Sequence, residues 1–208
     1  FVAIVNNLAR QAARTSASTN LELMAERYDA DPAITVQDAV TGLIAKMREN
    51  ISVRRFQSFQ TPAGFVHGYL HHGARVGVLL EFSCKKESPV LASIGKEVAM
   101  QIAATNPIFI DRSAVPPEVL DDQRRAFRTN AQKAGKPEAL LDKIAAGKIE
   151  KYLKEKCLME QAWIKNEDMT IGDYLREESR KLGQTVGIGR FTRFERAENL
   201  DGDTHCQE

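Results

Sequence analysis

Three of the four histidines in the chain lie close together, at His67, His71 and His72. Imidazole nitrogens are common zinc ligands, so this group is where metal chemistry would be expected. His67 and His71 are four residues apart in a segment with the alternation of a strand, which separates them by about 13 Å. One tetrahedral zinc ion cannot bind both side chains, and no His-Glu-x-x-His motif accompanies them. The spacing therefore favours structural or solvated histidines over a metal centre.

The glycine-bracketed segment that follows, Gly73-Ala74-Arg75-Val76-Gly77, could instead be a phosphate-binding loop. Such a loop needs a Lys and a Ser or Thr after its second glycine, followed by a helix. Here Val78-Leu79-Leu80 continues an apolar strand pattern, so the segment predicts a turn between two strands. Gly187 and Gly189 also fall within a strand pattern, which indicates close approach by another backbone rather than a nucleotide site.

Nucleophilic chemistry has little support in the sequence. There is no Gly-x-Ser-x-Gly motif, and only Cys206 has a neighbouring histidine, in a polar terminal segment. The three cysteines are widely spaced and form no Cys-x-x-Cys pair, which favours neither a disulfide framework nor a zinc ribbon. This usage is typical of a reducing compartment, the cytoplasm first and an organelle interior second. The residues therefore favour an interaction protein over an enzyme, with no cofactor and no metal.

Charge and hydropathy narrow the choice of partners. The 208-residue chain carries 29 basic and 28 acidic residues, a net charge of +1. A protein that binds nucleic acid or a membrane surface directly normally has a lopsided charge, so neither partner is expected. No apolar run reaches the roughly 18 residues of a membrane span.

Periodicity predicts helices and strands that are segregated along the chain. Helical patterns cover residues 1–13, 36–50, 91–104, 117–134, 137–157 and 171–182, and strand patterns cover residues 51–60, 65–71, 75–84 and 185–198. Thr35-x-x-Asp38 and Thr170-x-x-Asp173 are capping boxes that start two of the helices. The first three strands are joined by short turns, which predicts an antiparallel meander. Segregated elements favour an α+β fold, with residues 117–157 as a projecting helical hairpin.

A weak internal repeat is also visible. The helix in residues 1–13 resembles the helix in residues 91–104, and the second copy follows a complete strand hairpin. The first copy has no such hairpin ahead of it. If the repeat is real, the matching strands are expected upstream of Phe1.

Several short segments, taken in order, resemble the translation elongation factor Ts family over nearly the whole chain, to about Glu198. They are Phe1-Val2-Ala3, Glu49-Asn50-Ile51-Ser52-Val53-Arg54-Arg55, His72-Gly73-Ala74-Arg75-Val76-Gly77-Val78-Leu79, Ala99-Met100-Gln101-Ile102-Ala103-Ala104 with Asn106-Pro107, Gly135-Lys136-Pro137, Lys143-Ile144 through Gly147-Lys148, Leu158-x-x-Gln161 and Phe191-x-Arg-Phe194. Each segment alone is a weak signal, and together they are specific.

The resemblance implies a fold. It implies a two-subdomain α+β core with antiparallel sheets and packed helices, related by duplication, plus an inserted antiparallel helical hairpin, a coiled coil. Residues 1–60 would be the remainder of the amino-terminal core subdomain, and residues 61–115 and 166–199 the carboxy-terminal one. Residues 116–165 would be the inserted hairpin and dimerisation module, and residues 200–208 a tail.

The resemblance also implies a function. Family members are guanine-nucleotide exchange factors, without covalent chemistry, that bind the GTPase elongation factor Tu and open its magnesium and phosphate side so that GDP leaves. Phe1, next to Val2, would wedge between helices of the GTPase near its magnesium site. The strand backbone at Val76 and Gly77, after Arg75, would lie against the GTPase, and Gln101 would touch it. The alternative is a fragment that docks on elongation factor Tu without catalysing exchange. A homodimer through the helical hairpin is also expected.

Overall fold

A computed structural model describes residues 1–71, 73–85 and 88–198. Within this part of the chain the fold is α+β, as expected, and all its sheets are antiparallel. The α-helices are α1 Val2–Ala12, α2 Asn20–Ala25, α3 Val36–Met47, α4 Pro89–Thr105, α5 Pro117–Lys133, α6 Glu138–Lys156 and α7 Ile171–Leu182. The strands are β1 Arg27–Tyr28, β2 Asp31–Thr35, β3 Phe65–His71, β4 Val76–Ser83, β5 Ala162–Trp163, β6 Asn166–Thr170 and β7 Gly187–Glu195. The chain forms two compact units, Phe1–Gln60 and one that begins at Thr61.

The first unit contains α1, α2, the ribbon β1–β2 and α3. The capping box that starts α3 is present: Asp38 N–H donates to the Thr35 hydroxyl, and the Asp38 carboxylate accepts from Thr35 N–H. Tyr28, Val36 and Ala39 form a small buried core in this unit. The helix ends where Arg48 adopts a left-handed conformation, with φ of 57°. Helix α1 and the Thr35 start of α3 are therefore confirmed.

Two expectations for the first unit were wrong. Residues 51–60, predicted as a strand, have no regular structure. A strand is stabilised by its partner strand, and β1 and β2, the strands of this unit, pair with each other. Residues 16–35, which lie outside all the predicted helices and strands, contain α2 and the β1–β2 ribbon. Helix α2 starts at its own capping box, Thr19 with Glu22, a signal that the sequence offered.

The second unit is built on the three-stranded sheet β3–β4–β7. Strand β4 is central, so the third strand is β7 from the end of the described chain and not residues 51–60, as the predicted meander required. One face of β4 is fully apolar, since Val76, Val78, Leu80 and Phe82 are all buried. This face packs on helices α4 and α7 in one core cluster. Phe65, His67 and Tyr69 lie on the core-facing side of β3, because they pair with Phe82, Leu80 and Val78.

Helices α5 and α6 run antiparallel and connect α4 to β5. Arg128 near the end of α5 forms an ion pair with Glu138 at the start of α6, and Arg112 before α5 pairs with Glu150 in the later part of α6 at 2.8 Å. The base of the helix pair is closed by backbone bonds, since Ile108 N–H and Phe109 N–H both donate to the Lys156 carbonyl. No helix in the described part of the chain is both long and apolar enough to cross a membrane.

Gly95 sets the spacing between α4 and the sheet. A Cβ added there would lie 2.7 Å from Cγ of His67 on β3, which is closer than packed atoms come. We expect Gly95→Ala to lower the free energy of unfolding by about 1–3 kcal/mol, because overpacking outweighs the better helix propensity of alanine. Urea denaturation measures the change.

The matched control is Gly147→Ala in α6, where nothing lies within 4 Å of the added Cβ. Alanine should there raise the free energy of unfolding by roughly 0.5–1 kcal/mol through helix propensity alone. Equal effects of the two substitutions would contradict the close α4–β3 contact.

Candidate functional site

The outer face of the β3–β4–β7 sheet is the surface opposite the core. Gly77 on β4 lies on this face, paired with Leu70 on β3 and with Phe194 on β7. Leu70 is 71% exposed. A Cβ added at Gly77 would meet only Leu70 Cδ2, at 3.5 Å. The backbone of β4 can therefore be approached closely between two larger apolar side chains.

The turn between β3 and β4 adds a positive charge to this surface. Arg75 N–H donates to the His71 carbonyl at 3.0 Å, which closes the turn. Gly73 and Ala74 both have positive φ, of 61° and 66°. The Arg75 side chain is largely exposed and lies 3.7 Å from Glu195 at the end of β7. Hydrogen bonding to Arg193, assisted by the charge of Arg75, lowers the pKa of Glu195.

Strand β4 is accessible to a partner through the outer face of the sheet and not through a free edge. Its backbone is bonded to β3 on one side and to β7 on the other, and the Val76 side chain is buried in the core. A partner can therefore reach Gly77 only from the outer face of the sheet. Leu70 was not among the expected contact residues, although period-two alternation places it opposite the core side chains of β3.

Gln101 lies inside the second unit. Its side chain is 0% exposed. Its Oε1 accepts a hydrogen bond from Ile164 N–H at 2.9 Å, and its Nε2 donates to the Ala162 carbonyl at 3.1 Å and to Gln161 Oε1 at 3.2 Å. The expected contact between Gln101 and a partner stays a prediction, and these internal bonds occupy the amide in the described structure.

The start of α1 presents an apolar patch on the first unit. Phe1 is the residue preceding the helix and is 60% exposed, and Val2 and Val5 are also exposed. The Phe1 carbonyl accepts from Val5 N–H at 3.1 Å, so the residue is attached to the first turn of the helix. Phe1 does not pack into the small core of the first unit.

The histidines do not form a metal site in the described structure. Residues 1–71, 73–85 and 88–198 contain no group of three or more His, Cys, Asp and Glu side chains that could hold a metal ion. His67 packs on Gly95 under the sheet, and His71 Nδ1 lies 2.7 Å from the Tyr69 hydroxyl. His72 lies outside the described residues.

Exposed apolar and glycine-bearing surfaces of this kind are typical of a protein that binds another protein.

Residues 1–198 match the family described as Elongation factor TS. The chain is 43% identical over 201 residues to the Elongation factor Ts proteins of Clostridium novyi (strain NT) and Clostridium botulinum (strain Loch Maree / Type A3). It is 41% identical to that of Clostridium kluyveri. Each comparison covers 97% of this chain and 66% of the relative, so the chain spans just under two thirds of their length. The chain belongs to the elongation factor Ts family.

The half-buried position of His67 predicts how stability depends on pH. Burial lowers the pKa of His67 from its ordinary value of 6.5. As the pH falls through about 6.5, the unfolded chain binds a proton that the folded chain takes up only at lower pH. The free energy of unfolding should therefore decrease between pH 7.5 and 5.5, and His67→Gln should reduce this decrease. Urea denaturation across that range measures both, and an unchanged pH slope in the variant would contradict the assignment.

Proposed function

We propose that this chain is a guanine-nucleotide exchange factor that binds GDP-bound elongation factor Tu and promotes GDP release during translation elongation. The observation that carries the proposal is membership of the elongation factor Ts family over residues 1–198. The exposed Phe1 of the first unit and the exposed sheet face of the second are the surfaces assigned to the GTPase. A translation factor of this kind acts in the cytoplasm.

An exchange factor needs no covalent chemistry. It must bind the nucleotide-free state of its partner better than the nucleotide-bound state, because a ligand shifts an equilibrium only by its differential affinity. An aromatic side chain supplies this difference when its pocket opens only as the nucleotide leaves. Phe1 suits this role because most of its surface is exposed and Val2 beside it extends the apolar contact.

The second unit is assigned a docking role. Gly77 allows the partner to approach the β4 backbone between Leu70 and Phe194. Arg75 at the neighbouring turn has an exposed guanidinium that can pair with a carboxylate of the partner. A close approach of the partner to the β4 backbone gives shape complementarity, and the positive charge of Arg75 helps to orient the two proteins.

The helix pair α5–α6 is assigned to the inserted coiled coil of residues 116–165. Leu140 on α6 is exposed, which leaves an apolar side chain available for contact with the GTPase or with a second copy of the chain. Sedimentation velocity of wild type and Leu140→Glu distinguishes these roles, since only self-association changes the mass of the free protein.

The direct test is stopped-flow release of a fluorescent GDP analogue from elongation factor Tu, with and without this chain. Faster release supports the proposal. Binding without faster release would identify a docked fragment that does not catalyse exchange, and no binding would refute both roles.

We expect Phe1→Ala to slow exchange by about tenfold or more while leaving stability within roughly 0.5 kcal/mol, because truncation of a central aromatic contact is costly and an exposed side chain contributes little to folding. Stopped-flow rates and urea denaturation measure the two effects. The control is Leu21→Ala, which removes another exposed apolar side chain of the first unit. Equal loss of exchange in both variants would argue against a specific role for Phe1.

We expect Gly77→Val to weaken binding to elongation factor Tu by about tenfold, since the new side chain separates the β4 backbone from the partner. The fold should tolerate the change, because the nearest atom to an added Cβ is Leu70 Cδ2 at 3.5 Å. Calorimetric titration measures the affinity. Gly42→Ala in α3, where nothing lies within 4 Å, is the matched control. Wild-type affinity in Gly77→Val would remove the outer sheet face from the proposed interface.

A further inference from the structure

The helix pair α5–α6 has a hydrophobic core of its own. The buried side chains of this core cluster separately from those under the sheet, and they are Phe109, Val115, Ile149, Leu153 and Cys157. Leu158, the residue directly after Cys157, belongs to the core under the sheet instead. Residues 109–157 therefore form an arm, and the rest of the described second unit forms a body. The junction between arm and body falls between two adjacent residues.

The arm is attached to the body at one end. Helix α5 has 17 residues. An α-helix rises by 1.5 Å per residue, so the arm extends about 25 Å from the junction. A rotation of roughly 10° at the junction would move the tip by about 4 Å over that length. The position of the tip therefore depends on what fixes the angle at the junction.

The backbone at the junction forms a narrow connection. Leu158 N–H donates to the Phe109 carbonyl, and Met159 N–H donates to the Ile110 carbonyl, each at 2.9 Å. These bonds join the segment that enters the arm to the segment that leaves it. Changes of φ and ψ in a few residues at the end of an element are enough for a hinge. The backbone bonds therefore hold the two segments together without fixing the angle of the arm.

Side-chain packing does not fill the junction on the side of α4. An open cleft of about 450 Å³ lies there, lined by side chains that include Gln101, Thr105, Lys154 and Gln161. Polar interfaces between parts of a chain permit relative motion, whereas large apolar ones prevent it. The angle of the arm is therefore left to specific polar contacts across the junction.

Arg112 makes such a contact. This residue belongs to the arm, and its guanidinium donates to the Glu160 carboxylate from Nε at 2.5 Å and from Nη2 at 2.7 Å. Glu160 lies just beyond the junction, in the body. The same guanidinium donates to the Glu150 carboxylate of α6 from Nη1 at 3.2 Å and from Nη2 at 2.8 Å. Since the guanidinium is planar and has two bonds to each carboxylate, its orientation is fixed.

This group differs from an ordinary exposed ion pair. Single exposed pairs contribute little to stability, and the exceptions are networks and two-bonded arginine–carboxylate pairs, both of which are present here. The Glu160 side chain is only 21% exposed. Hydrogen bonding to Arg112 lowers the pKa of Glu150, so this carboxylate is charged at neutral pH.

We propose that Arg112 is a latch that fixes the angle between arm and body by binding Glu160, and that Glu150 holds the guanidinium in place. With the latch closed, arm and body move as one rigid unit. With the latch removed, the arm swings as a rigid lever about the bond between Cys157 and Leu158. The latch is a property of the free chain, and it goes beyond the proposed exchange function.

The test is a measurement of residual dipolar couplings of the backbone amides in the full chain. In the wild type, the couplings of α4 and α7 in the body and of α5 and α6 in the arm should fit one alignment tensor. In Arg112→Gln, the couplings of α5 and α6 should need a second tensor, reduced by about a quarter or more, because hinge motion on the μs–ms timescale averages them. Helices α5 and α6 should still share that tensor, since the arm keeps its own core.

The matched control is Arg128→Gln. Arg128 also pairs with two carboxylates, those of Glu138 and Asp142, and its side chain is 45% exposed, against 47% for Arg112. All three of its groups lie within the arm, so one tensor should still fit the whole second unit. Equal effects of Arg112→Gln and Arg128→Gln would contradict a latch at the junction.

The two partners of Arg112 separate the contact across the junction from the contact within the arm. Glu160→Ala should free the arm as Arg112→Gln does, whereas Glu150→Ala should have a smaller effect because the bond to Glu160 remains. Glu160→Ala changes a partly exposed side chain of the body, so it tests the latch even if Arg112→Gln does not fold.

Three results would overturn the proposal. A single tensor in both Arg112→Gln and Glu160→Ala would show that the backbone bonds fix the angle without the latch. Two tensors in the wild type would show that the latch does not hold the arm. Different tensors for α5 and α6 in Arg112→Gln would show that the substitution disrupts the arm itself and not its attachment.

Discussion

The pairing of β4 on both edges determines what the second unit can offer to a partner. Hydrogen bonds to β3 and β7 use its edges, and α4 and α7 cover its inner face, so the outer face is what remains. On that face Gly77 replaces a side chain with accessible backbone beside the exposed Leu70. The same pairing ties the end of the described chain to its middle, because β7 supplies Phe194 to this face and Arg193 to the Ala103 carbonyl of α4. The proposed binding surface and the core are thus consequences of one strand order.

The two units repeat one local design. In each, a ribbon leads into a helix started by a Thr and Asp capping box, at Thr35 and at Thr170. The sequence shift that aligns these two threonines also aligns residues 52–60 with the residues of β7, so that Phe56 corresponds to Phe191. Residues 51–60 therefore have the alternation of a strand but lack, in the described structure, a counterpart of β4, the strand with which β7 pairs. The alternation in residues 51–60 was identified correctly, but a strand forms there only when a partner strand is present.

Local signals in the sequence predicted more of the fold than of the candidate site. Capping boxes and apolar periodicity identified α3, α4, α7 and the β3–β4 turn, because each depends on residues within one or two turns. Position 101 could be placed on an apolar helical stripe, but its bonds are to residues about sixty positions later, which no local pattern reveals. The exposure of Leu70 likewise depends on which face of the sheet α4 covers. Contacts between residues far apart in the chain decide both features, and no local sequence pattern indicates such contacts.

The proposed exchange function places a physical demand on these surfaces. A factor that favours the nucleotide-free partner promotes release only through the difference between its two binding free energies. An ordering cost for a contact that forms only with the nucleotide-free partner would lower that difference. The Phe1 carbonyl is bonded into the first turn of α1, and Gly77 lies in the central strand of its sheet. At both proposed contacts the backbone is therefore ordered in the free chain, and no ordering of the backbone would reduce the selectivity of the proposed exchange factor.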